Sequence, residues 1–200
     1  MSPSATFQAI PIRAMTARRC LVLGGARSGK SRFAEELVAD RPGHQIYLAT
    51  AQAGDREMAE RIRRHRERRG ESWHTLEEPL ELAGALLAHG RDGAIILVDC
   101  LTLWLSNLMG AGRDPERETR TLVDALRRVT GDIVLVSNEV GHGIVPDNAL
   151  ARAFRDHAGL LNQAVAAAAD QVYFVTAGLP MALKDTTETS ATSTSKRTQA

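Results

Sequence analysis

The chain has 200 residues, enough for one domain with little room for a second. Apolar residues make up 44% and charged residues 24%, so a core of ordinary globular size can be buried. The net charge of +1 speaks against a protein built to coat nucleic acid or an anionic membrane, and neither is an expected partner.

In chain order, residues 1–17 show no periodicity, and Pro3 and Pro11 break any helix, so a disordered N-terminal extension is expected there. These residues also lack the basic start and apolar stretch of a secretory signal. Short apolar runs at 20–23, 45–50, 94–99, 132–137 and 171–176 read as buried strands. Helical patterns fall between them at 31–40, 55–69, 79–89, 116–129 and 147–169. The longest apolar run, near residues 94–105, is too short for a membrane span and carries Asp99. Cys20 and Cys100 lie inside apolar runs and offer no disulfide framework, which fits a reducing cytoplasm. Residues 185–200 hold nine Ser or Thr and almost nothing apolar, so a disordered tail is expected after a folded domain spanning 18–184. Continuous apolar strands separated by helices indicate an α/β fold with a mostly parallel sheet covered on both faces.

The first strand runs into Gly24-Gly25-Ala26-Arg27-Ser28-Gly29-Lys30-Ser31, which is Gly, four residues, then Gly-Lys-Ser. Between a strand and a helix this spacing is a P-loop: the glycines let successive N–H groups converge on one anion, at a helix N-terminus. Lys30 is expected to reach the β- and γ-phosphates of a nucleotide, and the Ser31 hydroxyl to bind Mg²⁺. The choice of lysine is informative, because only three of the 25 basic residues are lysines. Asp99, at the end of an apolar strand, is the expected second metal group beside the loop; its alternative role is to cap a helix over 101–109. The domain therefore reads as a P-loop NTPase-like three-layer fold that binds nucleotide.

Residues 61–69 hold six arginines around His65. Met58, Ile62 and His65 fall on one helical stripe, which makes His65 the edge of a core face. Alternatively, a neutral imidazole among guanidinium groups is a nucleophile toward a phosphate that those groups neutralise. Spacing leaves both open. Aromatic platforms for RNA are missing from this segment.

The second half carries Ser137-Asn138-Glu139-Val140-Gly141-His142-Gly143-Ile144-Val145-Pro146, followed by Leu150, Arg152, Phe154-Arg155-Asp156, Gly159 and Asn162-Gln163. With the loop at 24–31, the chain also has Tyr47-Leu48-Ala49-Thr50-Ala51, Glu57-Met58, Arg61-Ile62 and His65. Trp73, Thr75, Glu77, Pro79, Asp99-Cys100-Leu101-Thr102 and Asn107 complete the set. Together these residues resemble the adenosylcobinamide kinase/adenosylcobinamide-phosphate guanylyltransferase family of cobalamin assembly.

That resemblance implies two reactions. ATP or GTP phosphorylates adenosylcobinamide, and GTP then gives its GMP to adenosylcobinamide phosphate through a guanylylated histidine, which matches His65. The resemblance also implies nucleotide contacts on residues 24–31, on Ala49, Thr50 and Ala51, on Arg66, Glu67, Arg68 and Arg69, on Glu77 and on Asp99. It implies a homo-oligomer, a trimer in most relatives. Asn138 and Glu139 read equally as substrate or metal contacts and as caps at a strand end. Two other functions fit the loop alone: a kinase of another small alcohol, which would not need His65, and a non-catalytic nucleotide-dependent switch.

Overall fold

The structure, a computed structural model, describes residues 19–39, 41–51 and 73–186. The expected N-terminal extension, the helix at 55–69 with His65 and its arginines, and residues 187–200 of the tail lie outside the described residues.

Twelve elements are described: β1 (Arg19–Gly24), α1 (Lys30–Ala39), β2 (His44–Ala49), β3 (His74–Glu77), α2 (Leu82–His89), β4 (Ala94–Asp99), α3 (Leu101–Gly110), α4 (Pro115–Arg128), β5 (Asp132–Asn138), α5 (Ala149–Ala168), β6 (Gln171–Thr176) and β7 (Leu179–Asp185). The strands form one sheet in the order β3-β2-β4-β5-β1-β6-β7. The first six run parallel, and only β7 is antiparallel, to β6. This is the α/β architecture expected, because apolar runs buried on both faces suit parallel strands.

Each face has its own core. Leu21, Leu48, Ile96, Val98, Ile133 and Leu135 point toward α2, α3, α4 and α5, where Leu86, Trp104, Leu105, Leu126 and Leu161 meet them. Val22, Tyr47, Leu97, Val134 and Val136 point the other way, toward Phe33, Ala34, Leu37 and Val38 of α1. Local chemistry sets the helix ends. Asp114 caps α4 by accepting from the N–H groups of Glu116 (2.9 Å) and Arg117 (3.3 Å), with Pro115 in the first turn. Glu116 and Glu118 near its start and Arg127 and Arg128 at its end complement the helix dipole.

Two features depart from the sequence reading. β5 lies between β1 and β4, so Asp99 stands one strand away from the phosphate loop's own strand, not beside it. In addition, β7 adds a strand within the expected domain where no element was read, and Asp185 and Thr186, read as the start of a disordered tail, are placed: Asp185 ends β7 and Thr186 N–H donates to Asp170 O at 3.1 Å.

Candidate nucleotide site

Because six strands are parallel, their carboxyl ends share one edge of the sheet. Gly24, Ala49, Glu77, Asp99 and Asn138 all end strands there. The register is specific: Ala49 pairs with Glu77 on one side and Asp99 on the other, so the three stand in one row. In an open parallel sheet this edge is where ligands bind.

The loop is built as its glycines predict. A Cβ on Gly24 would lie 2.5 Å from both Ser28 Oγ and Val175 O, so no side chain fits where β1 leaves the sheet. Gly29 has φ +97° and Arg27 has φ 56°, the left-handed turns that aim consecutive N–H groups into one concavity. Ser28 N–H closes the turn on Gly25 O at 3.3 Å. Lys30 begins α1, is 8% exposed, and folds back so that Nζ donates to Gly25 O at 3.1 Å. Ser31 follows in the same first turn, half-buried. Ala26 and Arg27 are exposed at the loop's crest.

Asp99 is half-buried, and the Tyr47 hydroxyl donates to its Oδ2 at 3.1 Å. It does not cap α3: that position belongs to Cys100, which makes no side-chain cap bond. The Asp99–Cys100 peptide is cis. The Cys100 thiol is pushed up to about 11, first by burial and then by the Asp99 carboxylate, with Lys30 among the groups opposing the rise. The charges of Asp99 and Lys30 therefore both reach the Cys100 thiol, with opposite effects, despite the intervening strand.

Ser31 and Asp99 offer a hydroxyl and a carboxylate, the hard oxygens that Mg²⁺ prefers. Among the described residues no group of three His, Cys, Asp or Glu could hold a metal unaided. Such a pair fits an ion that takes its remaining ligands from nucleotide phosphates and water.

Other expected site residues fall into place unequally. Glu77 is exposed at the sheet edge and Ala51 half-buried. Thr50 is fully buried, with its side chain committed inward to the Cys100 backbone. His65, Arg66, Glu67, Arg68 and Arg69 lie outside the described residues. Asn138 donates from Nδ2 toward Cys100 Sγ at 3.9 Å, and its N–H donates to Thr102 Oγ1 at 2.7 Å. Glu139 accepts from Gly141 N–H at 2.6 Å. The sequence reading missed the turn after β6: Gly178 N–H donates to Ser28 O at 2.8 Å, and a Cβ on Gly29 would lie 3.1 Å from Gly178 Cα. A glycine after a strand signals a turn but not its neighbour.

A family model described as cobinamide kinase / cobinamide phosphate guanyltransferase matches residues 20–183. The bifunctional adenosylcobalamin biosynthesis protein CobP of Pseudomonas aeruginosa is 53% identical over 169 residues, which is 83% of this chain and 97% of that protein. CobU of Escherichia coli K12, described as a bifunctional adenosylcobalamin biosynthesis protein, is 42% identical over 179 residues, 82% of this chain and 98% of its own. Among solved structures, an ATPase from the type III secretion system of pathogenic bacteria gives a TM-score of 0.50 at 13% identity, covering 82% of this chain and 56% of that one, a likeness of fold alone. No helix among the described residues is long and apolar enough to cross a membrane.

Proposed function

The chain belongs to the cobinamide kinase / cobinamide phosphate guanyltransferase family, and on that premise we propose a bifunctional enzyme that acts on adenosylcobinamide twice. In the first reaction the hydroxyl of the aminopropanol arm attacks the γ-phosphorus of ATP or GTP, loses its proton, and displaces the nucleoside diphosphate. In the second, the His65 imidazole attacks the α-phosphorus of GTP and pyrophosphate leaves. The phosphate of adenosylcobinamide phosphate then attacks that phosphorus, restoring the imidazole and giving adenosylcobinamide-GDP. A covalent intermediate splits one difficult transfer into two in-line steps.

The observation that carries this reading is the convergence of the Gly24–Ser31 loop, Lys30 and Asp99 at one sheet edge, in a chain that matches the family over residues 20–183. The loop's N–H groups hold the phosphates, and Lys30 exchanges its bond to Gly25 O for the β- and γ-oxygens. Mg²⁺ bound to Ser31 and Asp99 would neutralise charge on the departing phosphate. Tyr47 orients Asp99. Ala49, Thr50, Ala51, Glu77 and residues Arg66, Glu67, Arg68 and Arg69 surround the guanine nucleotide, with Thr50 acting through the backbone it holds. The proposal includes a cytoplasmic location and a homotrimer, supported by the family resemblance and tested by sedimentation of the purified chain.

The test of the transferase half uses GTP labelled at the α-phosphate with the wild type and His65→Asn. Acid-labile, alkali-stable label on the wild type alone is expected, with phosphorylation of adenosylcobinamide retained in the variant. Label retained by the variant would move the nucleophile elsewhere. Bound nucleotide without label on either protein would leave only the kinase.

A further inference from the structure

The loop between β5 and α5, residues 139–148, is tethered at both ends and apolar at its tip. At its start, Glu139 Oε1 accepts from Gly141 N–H at 2.6 Å. At its end, Arg152 Nη1 donates to Pro146 O at 2.9 Å and to Asp147 O at 2.7 Å, and Asn148 Oδ1 accepts from Ala151 N–H at 2.7 Å. The His142 ring lies 6.3 Å from that of Phe174 on β6. Between these anchors, Gly143-Ile144-Val145-Pro146 carries no charge. Ile144 is 97% exposed, Val145 59% and Leu150, in the first turn of α5, 70%. Branched apolar side chains held out in water by a tethered loop mark a binding surface.

Its location says what would bind. Glu139 N–H donates to Gly24 O at 3.1 Å, so the loop leaves the sheet at the root of the phosphate loop. It continues toward the face covered by α5, whereas α1 covers the other. The tip has no cation to hold a phosphate. Resting on the function proposed above, the substrate has two unlike parts: an arm that carries the reacting oxygen, and a broad corrin ring edged with methyl groups and carboxamides. We infer that Ile144, Val145 and Leu150 form the seat of that ring, holding it beside the catalytic edge while the arm extends to the nucleotide. The same surface serves both reactions, since the ring is unchanged between them.

The test uses the full chain carrying Ile144→Ser and Val145→Ser together, with Ile144→Val as the conservative control. Adenosylcobinamide binding is read from the visible absorbance of the corrin in equilibrium dialysis, beside GTP affinity, thermal melting and solution mass. The double variant is expected to lose about tenfold or more in corrinoid affinity, since each side chain gives up most of a buried apolar contact. GTP affinity, melting and mass stay unchanged, and Ile144→Val binds as the wild type does. Undiminished corrinoid affinity overturns the inference, whether the mass holds or falls; a fall in mass would assign the tip to contact with a second copy of the chain. A wild type that binds no adenosylcobinamide would overturn the function itself, a result distinct from a variant that binds as well as its parent.

Discussion

The Thr50 hydroxyl holds both main-chain groups of Cys100, donating to its carbonyl at 2.7 Å and accepting from its N–H at 2.9 Å. Thr50 N–H also donates to Asp99 O at 3.2 Å, and Asn107 Nδ2 donates to Thr50 O at 2.8 Å. The ends of β2 and β4 are thereby locked together immediately beside the Asp99 carboxylate proposed to hold the metal.

Thr50→Val keeps the shape of the side chain but leaves the Cys100 N–H without its partner in the core, while the Cys100 carbonyl keeps only its bond from Trp104 N–H at 3.1 Å. The expected loss is about 1–3 kcal/mol, seen as a lower urea midpoint with an unchanged slope. Because the residue that follows Asp99 loses this tether, kcat for phosphoryl transfer is expected to fall while the KM for nucleotide holds. Thr50→Ser retains both bonds and restores kcat, which separates positioning from packing.

Lys30→Ala removes the loop's one ammonium, and a drop of about 10²–10³ in the rate of each transfer is expected in single-turnover measurements. Lys30→Arg does not recover it. At 8% exposure the site has little room for a planar fork, and a guanidinium cannot supply the same compact point charge.

Cys20 and Cys100 are both buried thiols, and burial is the main cause that pushes them up to about 12 and about 11 from the ordinary 9.0. Native protein at pH 8 is expected to resist thiol reagents, with both groups reacting after denaturation. The folded state favours the neutral thiols, so their contribution is complete below pH 9.0, where folded and unfolded chains are both protonated. Above that the unfolded chain ionises first, and several kcal/mol are lost as pH rises through the folded values. Tyr173, raised first by burial and then by Cys20 and Asp185, adds in the same sense. Guanidinium melts from pH 8 to pH 11 check the slope, which Cys20→Ala and Cys100→Ala should flatten.

The phosphate loop was legible in the sequence because its chemistry constrains the backbone. Gly24 and Gly29 sit where a Cβ or an ordinary φ is impossible, and such positions leave a mark in residue type. The buried strands were legible because both of their faces are apolar. β7 was not: Leu179, Met181 and Leu183 are exposed, and Pro180 interrupts any strand pattern, which an edge position tolerates. Nor was the separation of Asp99 from the loop by β5, since strand order is set by packing among distant segments. The Thr50–Cys100 pair, fifty residues apart, has no periodic signature at all. His65 was singled out by resemblance, because spacing alone also fitted a core edge.

The clasp of Gly178 on Ser28 has a consequence for the order in which the protein is made. The phosphate loop leaves the ribosome well before the turn that braces it, which is encoded about 150 residues later. A chain that ends before Gly178 therefore lacks this brace on the phosphate loop, and weaker nucleotide binding than that of the longer chain is expected. The loop's final shape is thus tied to a contact of long sequence separation, which forms only after the intervening chain has been made.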